Sequence, residues 1–160
     1  MLRDHPIAKL NRALWGLRAA LHREVRRLND GGCGHFAYRA AQAVQALGFE
    51  TEVVTPGHDE YDAPANGCRN THHLAVRIRH NGRMYTFDSQ TGLRLGGLRF
   101  GKNEPGRVPN ASVECICDYP FGLGMSPDEA EEFVQEEAWN SCFDTRQLPR
   151  VEELIHQYLH

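Results

Sequence analysis

The stretch GGCGHFAYRAAQAVQALG, residues 31–48, decides the fold, because it joins a sharp turn to a helix that begins at a cysteine. Three glycines surround Cys33, and glycine lets the backbone turn tightly and approach another molecule closely. Apolar residues then recur at helical spacing, and Gly48 is the expected end of the helix. The sequence therefore predicts a helix with the thiol at its N-terminus. Its apolar residues are Phe36, Ala40, Ala43, Val44 and Leu47.

A cysteine in this position has two interpretations. The spare amides and the positive dipole end of a helix N-terminus favour the thiolate, which is the form of the side chain that attacks carbon. Free cysteine is also among the most frequently buried residue types, so Cys33 is equally consistent with a packing residue. A catalytic role for Cys33 therefore requires a base and a carboxylate elsewhere in the chain.

A long amphipathic helix is predicted ahead of this turn, from Asp4 to Asn29. Asp4 is the expected N-cap, and Pro6 suits the first helical turn. Turn-forming residues from Asn29 onwards then deliver the chain to Cys33. The apolar positions lie three or four residues apart. They are Ile7, Leu10, Leu14, Leu17, Leu21, Val25 and Leu28.

After a strand at residues 49–54, the clearest local signal is a β-hairpin. Asn81-Gly82 separates two alternating segments, residues 73–80 and 83–88, and favours a two-residue type I′ turn. That turn fixes the register of the two strands, with Ala75 opposite Asp88. We expect Leu74, Val76, Ile78, Tyr85 and Phe87 to share the side that faces the core.

The same register brings His73 and Asp88 together on the other side of the hairpin. Diagonal cross-strand residues lie about 7 to 8 Å apart, and His and Asp side chains can bridge that distance with a hydrogen bond. A thiol nucleophile needs an imidazole to hold its thiolate, and the imidazole needs a carboxylate to fix its tautomer. Cys33, His73 and Asp88 therefore form a candidate catalytic triad.

Two helices are expected near the C-terminal end. Ser126 is an N-cap, Pro127 suits the first turn, and Glu129 completes a capping box. We expect Phe133, Val134, Ala138 and Trp139 on the apolar side of this helix. After Pro149, the last helix carries Val151, Leu154, Ile155, Tyr158 and Leu159 on one face.

The order Cys33, His73, Asp88 resembles the papain-like superfamily, as do the motifs His-x-x-Val-x-Ile from His73 and Gly-x-x-Tyr-x-x-Asp up to Asp88. Within it, residues 29–92 are most similar to transglutaminase-like cysteine peptidases and arylamine N-acetyltransferases. Gly34 stands where those families have an aromatic residue after the cysteine. The resemblance implies an α+β fold in which the nucleophile helix packs on an antiparallel sheet that supplies His and then Asp. The length of the chain suits one domain, so we expect residues 1–160 to form a single papain-like domain with helices at both ends.

The resemblance also implies acyl transfer through a thioester on Cys33, with the Gly34 amide and the Asn29 side chain as oxyanion donors. An ordinary helix-end role for Asn29 stays open. The chain is much shorter than an acetyltransferase, so coenzyme A is not expected. We therefore expect a peptidase, isopeptidase or amidase that needs no cofactor and acts on a protein or peptide substrate. Transfer of the acyl group to an amine, as in a transglutaminase, is the alternative.

Two further alternatives remain open. A zinc site would draw on cysteine and histidine, although no paired Cys-x-x-Cys knuckle is present. The same fold is also compatible with a non-catalytic binding module that uses the loop at residues 56–70 and the Gly-rich segment after Asp88 to hold a partner protein. The candidate zinc ligands are Cys68, His72, His73, Cys115 and Cys117.

Composition narrows the functional class. The apolar fraction of 41% and the charged fraction of 24% are those of an ordinary globular protein. A net charge of −3 with scattered basic residues argues against nucleic-acid binding. No apolar run is long enough to cross a membrane, so we expect no membrane partner. Five cysteines without framework spacing, and the lack of a signal peptide, predict reduced thiols in the cytoplasm.

Overall fold

A computed structural model describes residues 5–28, 32–54, 74–90, 92–95, 124–136 and 143–160. In this part of the chain the fold is α+β, with four α-helices and a five-stranded antiparallel sheet. No described helix has the length and apolar character that a membrane span requires. The helices are α1 (Pro6–Glu24), α2 (Cys33–Ala46), α3 (Pro127–Glu136) and α4 (Leu148–Leu159), and the strands are β1 (Glu50–Val54), β2 (Ala75–His80), β3 (Arg83–Phe87), β4 (Arg94–Leu95) and β5 (Gly124–Met125).

The β2–β3 hairpin lies at the centre of the sheet, whose strand order is β4-β3-β2-β1-β5. Asn81 and Gly82 have φ values of 50° and 73°, and positive φ at both central positions is what a type I′ turn requires. The predicted hairpin and its register are therefore confirmed. The observed pairs include Val76 with Phe87, Ile78 with Tyr85 and His80 with Arg83.

Helix α2 occupies the middle of the fold, because it contacts strands β1 and β2 as well as helices α3 and α4. The predicted start at Cys33 is confirmed, and Gly48 follows the helix with φ of 98°. Of the predicted apolar residues, Leu47 is exposed, since it lies at the C-cap rather than within the helix. The α2 side chains buried in the core include Phe36, Ala37, Ala40, Ala41 and Val44.

The sheet side that faces these helices is apolar, as the hairpin register predicts. Thr51 and Val53 of β1 are buried on it next to the residues from β2 and β3. Tyr85 is only half-buried, because β4 beyond it is a short edge strand. The fully buried predicted residues are Leu74, Val76, Ile78 and Phe87.

Helix α1 is shorter than the sequence pattern predicts. It ends at Glu24, and Val25 is already extended with φ of −120° and ψ of 127°. The backbone of Arg26 is hydrogen-bonded by the side chain of Gln147 and not by the helix. Gln147 Oε1 accepts from Arg26 N at 2.8 Å, and Gln147 Nε2 donates to Arg26 O at 3.0 Å. The predicted extension to Asn29 is therefore wrong, although Val25 and Leu28 are still buried.

The N-cap of α1 also differs from the prediction. His5 occupies it, and its Nδ1 accepts from Ile7 N at 3.2 Å. Pro6 follows as the first helical residue, since proline needs no donor there. Asp4, the predicted cap, lies outside the described residues.

The two C-terminal helices form where they are predicted. Ser126 Oγ accepts from Glu129 N at 3.1 Å, which is the expected N-cap bond of α3. Val134 is buried and Phe133 is partly buried, whereas the predicted Ala138 and Trp139 lie outside the described residues. Helix α4 packs on α1 and α2 through Val151, Leu154, Ile155 and Leu159.

Candidate active site

Cys33 is the first residue of α2, and its side chain is 2% exposed. The first bond of the helix runs from Phe36 N to Gly32 O at 3.0 Å. Gly34 therefore lies in the first turn, where backbone amides are not used by the helix's own bonds. The first turn of a helix carries the positive end of the dipole and unused N–H donors, which is a suitable setting for an oxyanion beside Cys33.

Asp88 directly follows β3 and is also 2% exposed. Its Oδ1 accepts a hydrogen bond from Gln90 N at 2.8 Å, so the carboxylate closes a tight turn over its own backbone. Ser89, which follows it, and Thr86, two positions before it, are buried as well. A buried carboxylate is unusual in a turn, because burying a charge is costly unless the charge is paired or hydrogen-bonded.

An aromatic contact joins the two elements that carry these residues. The rings of Phe36 and Phe87 meet edge to face, with their centroids 6.4 Å apart. Phe36 is one helical turn after Cys33, and Phe87 immediately precedes Asp88. The start of α2 and the end of β3 therefore meet on the core side of the sheet. Alternation along β3 directs the position after Phe87 to the opposite side, and Asp88 lies one step beyond the last ladder pair.

The candidate base, His73, lies outside the described residues, and so does Asn29. In the sequence His73 precedes β2 by two positions, and the residue between them, Leu74, is buried. The observed β2–β3 ladder ends at Val76 and Phe87, and one further step of the same register would align Ala75 with Asp88. The pairing of His73 with Asp88 thus stays a prediction.

The zinc alternative is equally untested, since all five of its candidate ligands fall outside the described residues. The described ranges contain no group of three or more His, Cys, Asp or Glu side chains that could hold a metal ion. The loop at residues 56–70, which the binding-module alternative invokes, also lies outside them.

One side of helix α1 belongs to the site, which the sequence pattern did not indicate. Arg18 Nε donates to the carbonyl oxygen of Gln90, and Asn11 Oδ1 accepts from Leu93 N at 2.9 Å. Both bonds hold the segment that follows Asp88. The available signal was a polar and aromatic stripe at helical spacing, Asn11, Trp15 and Arg18, beside the apolar stripe.

His35 is a second residue of interest near Cys33. Its ring lies 6.1 Å from the ring of Phe143, and its Nδ1 is buried without a hydrogen-bond partner among the described residues. Burial, assisted by the nearby Arg39 guanidinium, holds the pKa of His35 below its usual value. His35 of α2 is therefore mostly neutral at pH 7, and its ring packs against Phe143.

The chemistry that these residues can perform is nucleophilic attack by a thiol, supported by backbone amides and by a buried carboxylate that can orient an imidazole. No family model, no curated protein and no solved structure matches this chain. Its function has to be inferred from the residues of the site themselves.

Proposed function

We propose that this protein is a cysteine-dependent hydrolase with a papain-like fold, which cleaves an amide or isopeptide bond in a protein or peptide substrate. Cys33 is the nucleophile, His73 the general acid and base, and Asp88 the residue that orients His73. The observation that carries the proposal is the burial of two reactive groups at element ends that meet: the Cys33 thiol begins α2, the Asp88 carboxylate directly follows β3, and the Phe36–Phe87 contact joins α2 to the end of β3.

In the proposed reaction the Cys33 thiolate attacks the carbonyl carbon, and the C–N bond then breaks to leave a thioester on Sγ. His73 gives its proton to the departing amine and then takes a proton from water. That water attacks the thioester, which releases a carboxylic acid and restores the thiol. The Gly34 amide and the Asn29 side chain stabilise the oxyanion in both steps.

Asp88 contributes by its burial as well as by its charge. A carboxylate in a low-dielectric setting interacts more strongly with an imidazolium than one in water does. No cofactor takes part in this scheme. A thiol nucleophile must remain reduced, and the cytoplasm keeps thiols reduced, so the protein acts in the cytoplasm.

The burial of Cys33 favours a second candidate, in which the same fold binds a partner protein without catalysis. A nucleophile needs access for its substrate, and a side chain that is 2% exposed gains it only when a neighbouring segment moves. The two candidates predict opposite chemical behaviour of the thiol, so a reactivity experiment separates them.

The first experiment is the pH dependence of Cys33 alkylation by iodoacetamide, with peptide mass spectrometry to separate the five cysteines. A hydrolase should label rapidly well below the free-thiol pKa of about 8.5, and His73→Ala should abolish this reactivity. Slow labelling with an ordinary thiol profile would contradict catalysis and support the binding module.

The second experiment uses p-nitrophenyl acetate as a general acyl donor. Wild type should release p-nitrophenolate in a burst and carry an acetyl group on Cys33, while Cys33→Ala should do neither and remain folded. Adding a primary amine distinguishes the acyl acceptors, because hydrolysis yields acetate whereas a transferase yields the acetamide. An unchanged rate in Cys33→Ala would end the proposal.

A further inference from the structure

Side chains of helix α1 form hydrogen bonds with the backbone that follows Asp88. Its residues Asn11, Trp15 and Arg18 are spaced four and three apart, so they lie on one side of the helix. Asn11 Oδ1 accepts from Leu93 N at 2.9 Å, and Arg18 Nε donates to Gln90 O. The guanidinium of Arg18 also lies over the Trp15 ring, 5.4 Å from its centroid.

Gln90 is the link between this helix and the carboxylate. Its N–H donates to Asp88 Oδ1 at 2.8 Å, while its C=O accepts from Arg18. The two peptide units on either side of the Gln90 Cα are thus each held by a hydrogen bond, so loss of the Arg18 bond frees the residue whose N–H binds Asp88. The contact reaches across 72 positions of the chain, so it is a tertiary restraint and not a local turn bond.

Gly92 adds a steric restraint to the same segment. A Cβ at this position would run into the indole of Trp15, so the backbone here lies directly against the aromatic ring. Gly92 is itself buried. Polar bonds at Gln90 and Leu93 and a close backbone contact at Gly92 therefore hold these three residues on α1.

We propose that Arg18 and Asn11 are positioning residues, which hold the turn after β3 so that the Asp88 carboxylate is aimed at the catalytic imidazole. This inference rests on the proposed function, because Asp88 has an imidazole to orient only if His73 and Cys33 form the triad. The two residues touch no reacting atom and act only through the turn.

The test compares pH profiles of Cys33 alkylation by iodoacetamide in the full chain. Arg18→Met removes the donor and keeps the side-chain length, Arg18→Lys keeps a donor, and Asn11→Leu removes the second bond. Arg23→Met is the matched control, since Arg23 is exposed on the same helix. Asp88→Asn gives the profile of a site without the carboxylate charge.

A misdirected carboxylate stabilises the imidazolium less, and a weaker imidazolium stabilises the thiolate less. We expect Arg18→Met and Asn11→Leu to raise the inflection of the profile by about one pH unit, which is a tenfold loss of thiolate at low pH. Arg18→Lys should recover most of the shift, and Arg23→Met should match wild type. A merely structural role would lower the unfolding midpoint in urea and leave the inflection in place.

The outcomes separate this inference from the function on which it rests. If Asp88→Asn moves the inflection while Arg18→Met and Asn11→Leu do not, the positioning role is overturned and the triad stands. If wild type itself has the profile of a free thiol, both are overturned. If Arg18→Met fails to fold, Asn11→Leu decides the question, because it breaks the same restraint at a different bond.

Discussion

The ring of Phe36 lies edge-on to the ring of Phe87, with the ring planes at 82° to each other. Both side chains are buried, so this contact is part of the hydrophobic core as well as the boundary of the candidate site. Edge-to-face pairs of this kind contribute beyond the area that they bury, because the positive ring edge meets the negative ring face. The stability of the core and the geometry of the site are therefore coupled at one contact.

A double-mutant cycle measures that coupling. We expect Phe36→Leu and Phe87→Leu to show a coupling free energy of about 0.5 to 1.5 kcal/mol in urea unfolding. Phe36→Leu combined with Leu14→Ala is the control pair, because Leu14 lies on α1, whose backbone does not contact α2 in the described part of the chain, and its effect should add. Simple additivity of the two phenylalanine substitutions would contradict the contact.

The start of the cysteine helix and the hairpin could be predicted because their signals are local. Gly32 to Gly48 contains both the break and the end of α2, and Asn81-Gly82 alone fixes the strand register. In each case residues adjacent in sequence determine the backbone conformation, so no knowledge of distant parts of the chain was needed.

The end of α1 could not be predicted, because the backbone just beyond it is bonded by a side chain 121 positions from Arg26. Gln147 satisfies the backbone of Arg26, and the periodic apolar pattern through Leu28 gives no sign of that competition. The hydrogen bond from Arg18 to Gln90, in the turn after Asp88, is also a tertiary contact. Sequence patterns identify the candidate site residues but not the contacts that restrain them.

The cap of α3 gives a direct stability prediction. Ser126→Ala removes the acceptor for Glu129 N, and loss of such a cap typically costs about 1 kcal/mol. Ser126→Asp is the matched variant, since its carboxylate accepts the same bond and suits the helix dipole. Urea unfolding should place Ser126→Asp within a few tenths of wild type. Equal losses in the two variants would show that the hydroxyl does not act as a cap.

Gly32 provides a second stability prediction, next to Cys33. A Cβ at this position would lie 2.5 Å from Leu28 O and 3.0 Å from the Phe143 ring. Because the nearest atom belongs to the backbone, it cannot swing away, and we expect Gly32→Ala to cost about 1 to 3 kcal/mol.

Gly16→Ala is the comparison for Gly32→Ala. Its Cβ would meet only the Tyr158 ring, 2.9 Å away, and that ring is half-buried and can shift. Urea unfolding of the two variants should therefore rank Gly32→Ala as the more destabilised. The rate of Cys33 alkylation should also change more in Gly32→Ala than in Gly16→Ala, because only Gly32→Ala displaces the start of α2. A smaller loss for Gly32→Ala would contradict the close approach of Leu28.

His35 predicts how stability changes with pH. Its pKa is lowered in the folded protein, first by burial and then by Arg39, so the unfolded chain binds the proton more readily. Stability is unaffected above the unfolded pKa of about 6.5, and it falls as the pH drops from there towards the lowered folded pKa. Phe143 packs on the His35 ring. Arg39 donates to His35 O at 2.8 Å and pairs with Glu152. Burial and Arg39 are the causes that lower the His35 pKa, and no described carboxylate offsets them.

The measurement is the free energy of unfolding in urea at pH 7.5 and pH 5.5. We expect His35→Phe to lose less stability between these two values than wild type does, because phenylalanine fills the space beside Phe143 and has no proton to bind. His22→Phe is the control for replacing an exposed imidazole on α1. If His35→Phe and wild type lose the same stability on acidification, the buried imidazole does not titrate in this range, and acid sensitivity must arise at other groups.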